Sequence, residues 1–175
     1  DGYRNSVANG GAVHLFTFDD SDFTNATYTA SIGNNYEGND GKDYDTTIIS
    51  GWSAAQVAID GDGNRLAIGH HNEEDVRVFG FEDTSLNGAS LQFTIGIGQT
   101  GSNSVNATSH GVEAGDGFPN VIALDDTGTL MAVGSTGDDG LNNDATDAGA
   151  VYLWSDTIIQ GATSYTCLLY TSPSP

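Results

Sequence analysis

Residues 56–69 read QVAIDGDGNRLAIG and residues 121–134 read VIALDDTGTLMAVG. Each is an apolar run, a turn rich in Asp and Gly, and a second apolar run closed by Gly. Ala58 matches Ala123, Asp60 matches Asp125, Gly63 matches Gly128, Ala67 matches Ala132 and Gly69 matches Gly134, every pair 65 residues apart. A unit recurring at fixed spacing marks a repeat architecture. Short apolar runs split by Asp and Gly predict β-hairpins rather than helices.

Outward from the hairpins the same pattern continues. In residues 11–18, GAVHLFTF, the side chains Val13, Leu15 and Thr17 alternate with His14, Phe16 and Phe18, and this period of two predicts a strand. Residues 26–33, 75–81, 90–96 and 149–154 predict further strands. Turns are expected at 19–25 and 83–88, and loops at 34–51, 99–116 and 135–148. The third strands share a register: Val13-His-Leu-Phe, Val76-Arg-Val-Phe and Val151-Tyr-Leu-Trp are apolar, variable, apolar, aromatic at spacings of 63 and 75. The extra residues of the second interval fall in loop 135–148, which suits a surface insertion.

The expected fold is therefore all-β: a β-propeller fragment of about two to two and a half four-stranded antiparallel blades. Residues 1–10 are a loop remnant, 11–51 the last two strands of one blade with a loop, 52–116 a complete blade with a loop, and 117–166 the first three strands of the next. Strands packed on both faces read as continuous apolar runs, as QVAI, RLAIG, VIAL and LMAVG do, whereas a sandwich with wet outer faces alternates more cleanly. Ala58, Ala67, Ala123 and Ala132 are expected where neighbouring sheets approach closely. Trp52, Phe118 and Trp154 are read as packing between blades rather than as a sugar platform. Residues 167–175, from Cys167 to the closing Ser-Pro-Ser-Pro, resemble the in-frame translation of a sequencing-library adaptor and are set aside. On that reading the gene is cut off mid-read.

Lys and Arg total 4 against 24 Asp and Glu, a formal charge of −20. Nucleic acid and anionic membrane surfaces need clustered positive charge, so neither is an expected partner. No apolar run is long enough for a membrane span. The acidity fits an extracellular surface, a salty medium, or loops that hold calcium through oxygen ligands. The chain opens at Asp1 rather than Met, so a missing signal peptide carries no weight. The single Cys167 excludes an intramolecular disulfide framework.

GAVHLF, GAVYLW and the two hairpins resemble bacterial relatives of the FG-GAP repeats of integrin-type β-propellers, over roughly residues 11–160 as repeat matching of this kind allows. The Phe-Gly element survives only as Trp52 and Phe118, followed by Ser53 and Pro119, and the Gly-Ala-Pro element is reduced to Gly69-His70-His71 and Gly134-Ser135-Thr136. The resemblance implies a secreted or cell-surface binding role, adhesion-like, and calcium between the first two strands of a blade.

Calcium ligands have two candidate locations. Asp60, Asp62 and Asn64 place oxygen side chains at alternate positions, as calcium loops begin, but Arg65 follows at once. The alternative is a tight hairpin in which Gly63 and Gly128 take positive φ and Asp bonds the turn backbone. It is the preferred reading, because the second copy keeps the glycine and drops the ligands. Loop 137–147 offers Asp138, Asp139, Asn142, Asp144 and Asp147, against the default of a solvated acidic loop. His70 and His71 are adjacent, so on a strand they face opposite ways and transition-metal binding is not expected.

The functional expectation is a non-catalytic repeat scaffold that binds a protein or glycan partner and is completed by the remaining blades of a longer parent chain. One alternative is a propeller glycosidase or sialidase-like enzyme. Leu124-Asp-Asp126-Thr-Gly128-Thr partly resembles an Asp-box, but only Arg4, Arg65 and Arg77 are available for an arginine cluster. Another is a calcium-stabilised RTX-like β-roll, whose tandem nonapeptide is approached only by Gly38-Asn-Asp-Gly41.

Overall fold

A computed structural model describes residues 11–33, 44–45, 54–140 and 142–155. The described residues are all-β and form three sheets. The first holds β1 (Ala12–Thr17), β2 (Thr27–Gly33) and β3 (Tyr44–Asp45) in that order. The second holds β4 (Ala54–Ile59), β5 (Arg65–His70), β6 (Asp75–Gly80), β7 (Ser90–Gly96) and β8 (Ser104–Asn106), again in chain order. The third runs β11-β10-β9, from β9 (Val121–Leu124), β10 (Leu130–Ser135) and β11 (Ala150–Ser155). Apart from the short β3 and β8, every pairing is antiparallel.

Register confirms the repeat residue by residue. Ala67 pairs with Ala58 and Val78, and Ala132 with Ala123 and Leu153. Val76, Val78 and Phe79 thus correspond to Val151, Leu153 and Trp154, and also to Val13, Leu15 and Phe16. The first and second sheets share a β-bulge at this point, between Leu15 and Phe16 and between Val78 and Phe79. The turns after β1 and β6 also match. Asp20 Oδ1 accepts the amides of Asp22 (3.0 Å) and Thr24 (3.2 Å), as Asp83 Oδ1 accepts those of Ser85 (2.9 Å) and Asn87 (3.5 Å). Phe23 and Leu86, 63 residues apart, both take positive φ there.

Two loops differ from expectation. Within 34–51 and 99–116, β3 and β8 return to pair parallel with the strand before them, Gly33 with Asp45 and Gly96 with Asn106. Each covers an edge that would otherwise expose unpaired backbone groups. Strands of two or three residues carry no periodicity, which is why the sequence reads as loop.

The sheets stack face on face. One core layer lies between the first and second sheets and includes Leu15, Ile32, Leu66, Ile68, Phe79 and Leu86. Another lies between the second and third and includes Ala67, Val76, Val78, Phe93, Ile122, Met131, Val133 and Trp154. Burying each large side chain contributes about 1.5–3 kcal/mol. Gly69 shows how close the approach is: a Cβ there would lie 2.8 Å from both Ile122 Cδ1 and Pro119 Cγ. The glycine that closes the repeated stretch therefore makes room for the next sheet.

Equal repeat positions differ in exposure only by whether a sheet covers them. Phe16 is 46% exposed and Phe79 0%, because the second sheet has a neighbour on that side and the first has none among the described residues. Val57 is 54% exposed and Ile122 only 7%, because β4 and β5 cover Ile122. Val78 is 1% exposed and Leu153 40%, because the third sheet covers Val78. The expected close-packed alanines divide the same way: Ala67 is fully buried, whereas Ala123 is exposed and Ala132 half-buried on the open face. Phe118 and Trp154 do pack between sheets, the one from the linker before β9 and the other from β11. Trp52, Gly38-Asn-Asp-Gly41 and Cys167 lie outside the described residues.

This packing predicts an asymmetry between copies. Ala67→Leu should destabilise the chain by about 1–3 kcal/mol through overpacking, whereas Ala132→Leu at the same repeat position should leave stability nearly unchanged. Urea unfolding of the two variants beside the parent measures the difference.

Candidate functional site

The strands have two ends, and each gathers a different kind of loop. At one end lie the hairpin turns. Asp60 Oδ1 accepts the backbone amides of Asn64 (2.9 Å) and Arg65 (3.0 Å), and Gly63 takes φ 69°. Asp125 Oδ1 accepts the amide of Leu130 (2.8 Å), its Oδ2 accepts from the Thr127 hydroxyl (2.8 Å), and Gly128 takes φ 64°. The carboxylates therefore bond their own turns, as the hairpin alternative expects. The Leu130 amide, with Thr127 and Thr129, holds the Asp125 carboxyl below the usual carboxylate range.

The two turns also touch each other. The Asp62 amide donates to the Asp126 carbonyl (3.1 Å), and Arg65 Nη1 donates to the Gly128 carbonyl (2.8 Å). A Cβ on Gly128 would lie 2.9 Å from Asp60 Oδ2 and 2.7 Å from Arg65 Cδ. Of the candidate ligands here, Asp60 is buried, Asp62 exposed and Asn64 half-buried. With Arg65 packed into the same contact, this end serves as a joint between units.

The acidic loops gather at the opposite end. Asp138 is buried, and both its oxygens are engaged: Oδ2 accepts from the Tyr152 hydroxyl and Oδ1 from the Gly140 amide at 2.9 Å. Asp139 Oδ1 accepts the Asp147 amide (2.7 Å), folding loop 137–149 back on itself. Asn142, Asp144 and Asp147 are exposed. Loops from the second unit reach this end as well. Glu74 Oε1 accepts the Gly115 amide (2.8 Å), and Glu113 Oε2 accepts from Asn143 Nδ2 (3.0 Å). Asp116 stands at the base of the group. Burial pushes its carboxyl up, the Glu113 amide it accepts (2.7 Å) works against this, and the charges of Asp138, Glu113 and Asp139 add to the rise.

The two groups of sequence candidates are thus not brought together. The first lies in the turn that opens β5, and the second in the loop that follows β10 at the other end of the strands. Among the described residues, no three His, Cys, Asp or Glu side chains form a group able to hold a metal ion.

Nearby, His70 Nδ1 lies 2.6 Å from Asp75 Oδ1, and Arg77 donates through Nε and Nη2 to Asp75 Oδ2, both at 3.2 Å. His70 and Asp75 are buried, so the histidine serves an ion-paired cluster inside the second sheet. The sequence does not single out Tyr152, Glu113 or Asp116 as site residues. A signal for Tyr152 does exist. The variable position of the third-strand motif holds His14, Arg77 and Tyr152, and each has a polar partner: Ser31 (2.8 Å), Asp75 and Asp138.

The fold and its loop ends define a class: an all-β repeat chain of stacked antiparallel sheets, with hairpin turns at one end of the strands and longer loops at the other. Comparison with family models, curated proteins and solved structures returns no match. No helix among the described residues is long and apolar enough to cross a membrane.

Two substitutions separate the roles of the acidic loop residues. Tyr152→Phe leaves Asp138 Oδ2 without its buried donor and should cost about 1–3 kcal/mol in denaturant unfolding. Asp116→Asn has the opposite sign. Its raised carboxyl favours the folded state below the ordinary carboxylate pKa and loses that benefit as pH rises through the folded value. The Asn variant should therefore be more stable than the parent at neutral pH, with the gain vanishing in acid; a Tm series against pH checks it.

Proposed function

We propose that the chain is part of a β-propeller-type repeat scaffold of the FG-GAP kind, non-catalytic and secreted or held at a cell surface, which offers its acidic loop end to a protein or glycan partner. The observation that carries this reading is the regular stacking of units. Successive sheets meet through the same two faces, and β4 and β9, the first strands of their units, lie against each other as first strands around an axis would. Further blades of a longer chain would complete the ring.

The division of the two ends supports the binding role. The turn end is built alike in successive units, whereas the loop end differs in length and charge from unit to unit. Variable loops on a constant scaffold are where recognition surfaces are placed. The acidity there selects a partner with cationic side chains, or a glycan bridged by calcium. Calcium at the 137–147 loop is a second reading. It is favoured by the gathering of carboxylates at this end, where the charges of Asp138, Glu113 and Asp139 add to the upward push that burial gives Asp116 and a divalent cation would offset them.

Interferometry against basic proteins and a glycan array, in calcium and in chelator, tests both readings. The triple variant Asp139→Asn, Asp144→Asn, Asp147→Asn should bind at least about tenfold more weakly, a loss of about 1.4 kcal/mol, with its Tm in chelator unchanged. Binding indifferent to the triple variant, or turnover of a glycoside by the parent, would overturn the scaffold reading. For calcium, the parent's Tm should rise by several degrees and the triple variant's should not; equal Tm values with and without calcium remove that reading alone.

A further inference from the structure

We infer that Asn87 is a self-modification site: the backbone nitrogen of Gly88 and water convert its carboxamide to a carboxylate, and the conversion loosens the turn between β6 and β7. The turn itself supplies the reactive pair. Position 88 takes φ 63°, and a Cβ there would lie 2.5 Å from Glu82 Cδ, so glycine is required. Position 87 must donate to Asp83, and Asn87 Nδ2 does so to both carboxylate oxygens at 3.2 Å. Asparagine followed by glycine meets both demands, and among the described residues the pair occurs only here. Glycine also hinders attack on the preceding side chain least, because no Cβ stands beside its nitrogen.

The counterpart turn of the first unit meets the same geometry with other chemistry. Thr24 stands 63 residues before Asn87, and its hydroxyl donates to Asp20 Oδ2 at 2.7 Å. Asn25 takes the place of Gly88, at φ 52°, and is followed by Ala26 rather than glycine. The hold on Asp83 is looser. Both Nδ2 bonds lie at the long end of the ordinary range, and the Asn87 amide is 3.5 Å from the same carboxylate. Asn87 is only half-buried and Gly88 is exposed, so water reaches the pair.

The step balances with water as the sole co-reactant. The Gly88 nitrogen bonds to Asn87 Cγ and gives up its proton; the Cγ–Nδ2 bond breaks, and ammonia leaves carrying a proton in exchange. Water then opens the cyclic imide. Addition at Cγ restores the ordinary backbone with aspartate at position 87, whereas addition at the main-chain carbonyl carbon leaves the chain running through the side chain. Either product removes the donors that Asp83 used and adds a carboxylate beside it, and like charges so close repel. The second product also displaces the carbonyl that accepts the Glu82 amide at 2.9 Å. Leu86, next in the chain, is buried in the core layer between the first and second sheets, so loosening the turn reaches the stack.

Ageing the full chain at mildly alkaline pH, followed by peptide mass mapping, tests this. Asn9-Gly10, the same pair outside the described residues, is removed from every sample by Asn9→Gln. The peptide holding Asn87 should gain the mass difference between OH and NH2 severalfold faster than the peptides holding Asn64, Asn103, Asn106 or Asn120. Anion exchange separates the converted chains by their added negative charge, and these should melt a few degrees below the unconverted ones. Asn87→Thr, which copies the turn of the first unit, should keep the Tm of the unaged chain and yield no such fraction on ageing. If that variant misfolds, the aged chain alone decides, since both of its fractions come from one folded sample. An Asn87 peptide that converts no faster than the other four, or a converted fraction that melts with the unconverted one, overturns the inference.

Discussion

Apolar side chains on both faces of a sheet leave that sheet with no side to turn to water, and this constraint governs the molecule. In the second sheet Leu66, Ile68 and Phe79 face one way and Ala67, Val76 and Val78 the other, and all are buried. Such a sheet is stable only as the middle of a stack. The stack in turn demands close approach, which explains small residues at fixed places. Ala67 lies flat beneath the third sheet, and Gly69 leaves room for Ile122 and Pro119.

Covering the faces leaves the strand ends free, and the chain treats its two ends differently. At the turn end, carboxylates are spent on geometry. Asp20, Asp60, Asp83 and Asp125 each gather backbone amides of their own turn, so these acids are local hydrogen-bond acceptors rather than a binding surface. Asp20 and Asp83 are held below the usual carboxylate range, chiefly by the Thr24 and Asn87 side chains that bond them. At the loop end, one acid is consumed in the same way, the buried Asp138 beneath Tyr152. Asp116 behaves differently from Asp20, Asp83 and Asp125: burial pushes its carboxyl up, and the charges of Asp138, Glu113 and Asp139 add to that rise. One residue type thus serves rigidity at one end and an electrostatic surface at the other.

Much of this was legible in the chain. The hairpins, their glycines at positive φ and the third-strand register all depend on contacts a few residues apart or on a repeated pattern, and both are written locally. The reading went astray where the deciding partner is remote. β3 and β8 read as loop in the sequence because an edge strand of two or three residues is fixed by the strand it joins, not by its own side chains.

By itself, then, the sequence determined an all-β repeat chain, where its strands fall, and which turns its aspartates and glycines build, because hydrophobic period and turn chemistry are short-range properties. Only the tertiary structure decided which apolar face is covered and which is left open, and which acids are tied into backbone bonds and which crowd together. Two copies of one motif can carry the same residues and differ in all of this, since burial and charge depend on what packs against a residue.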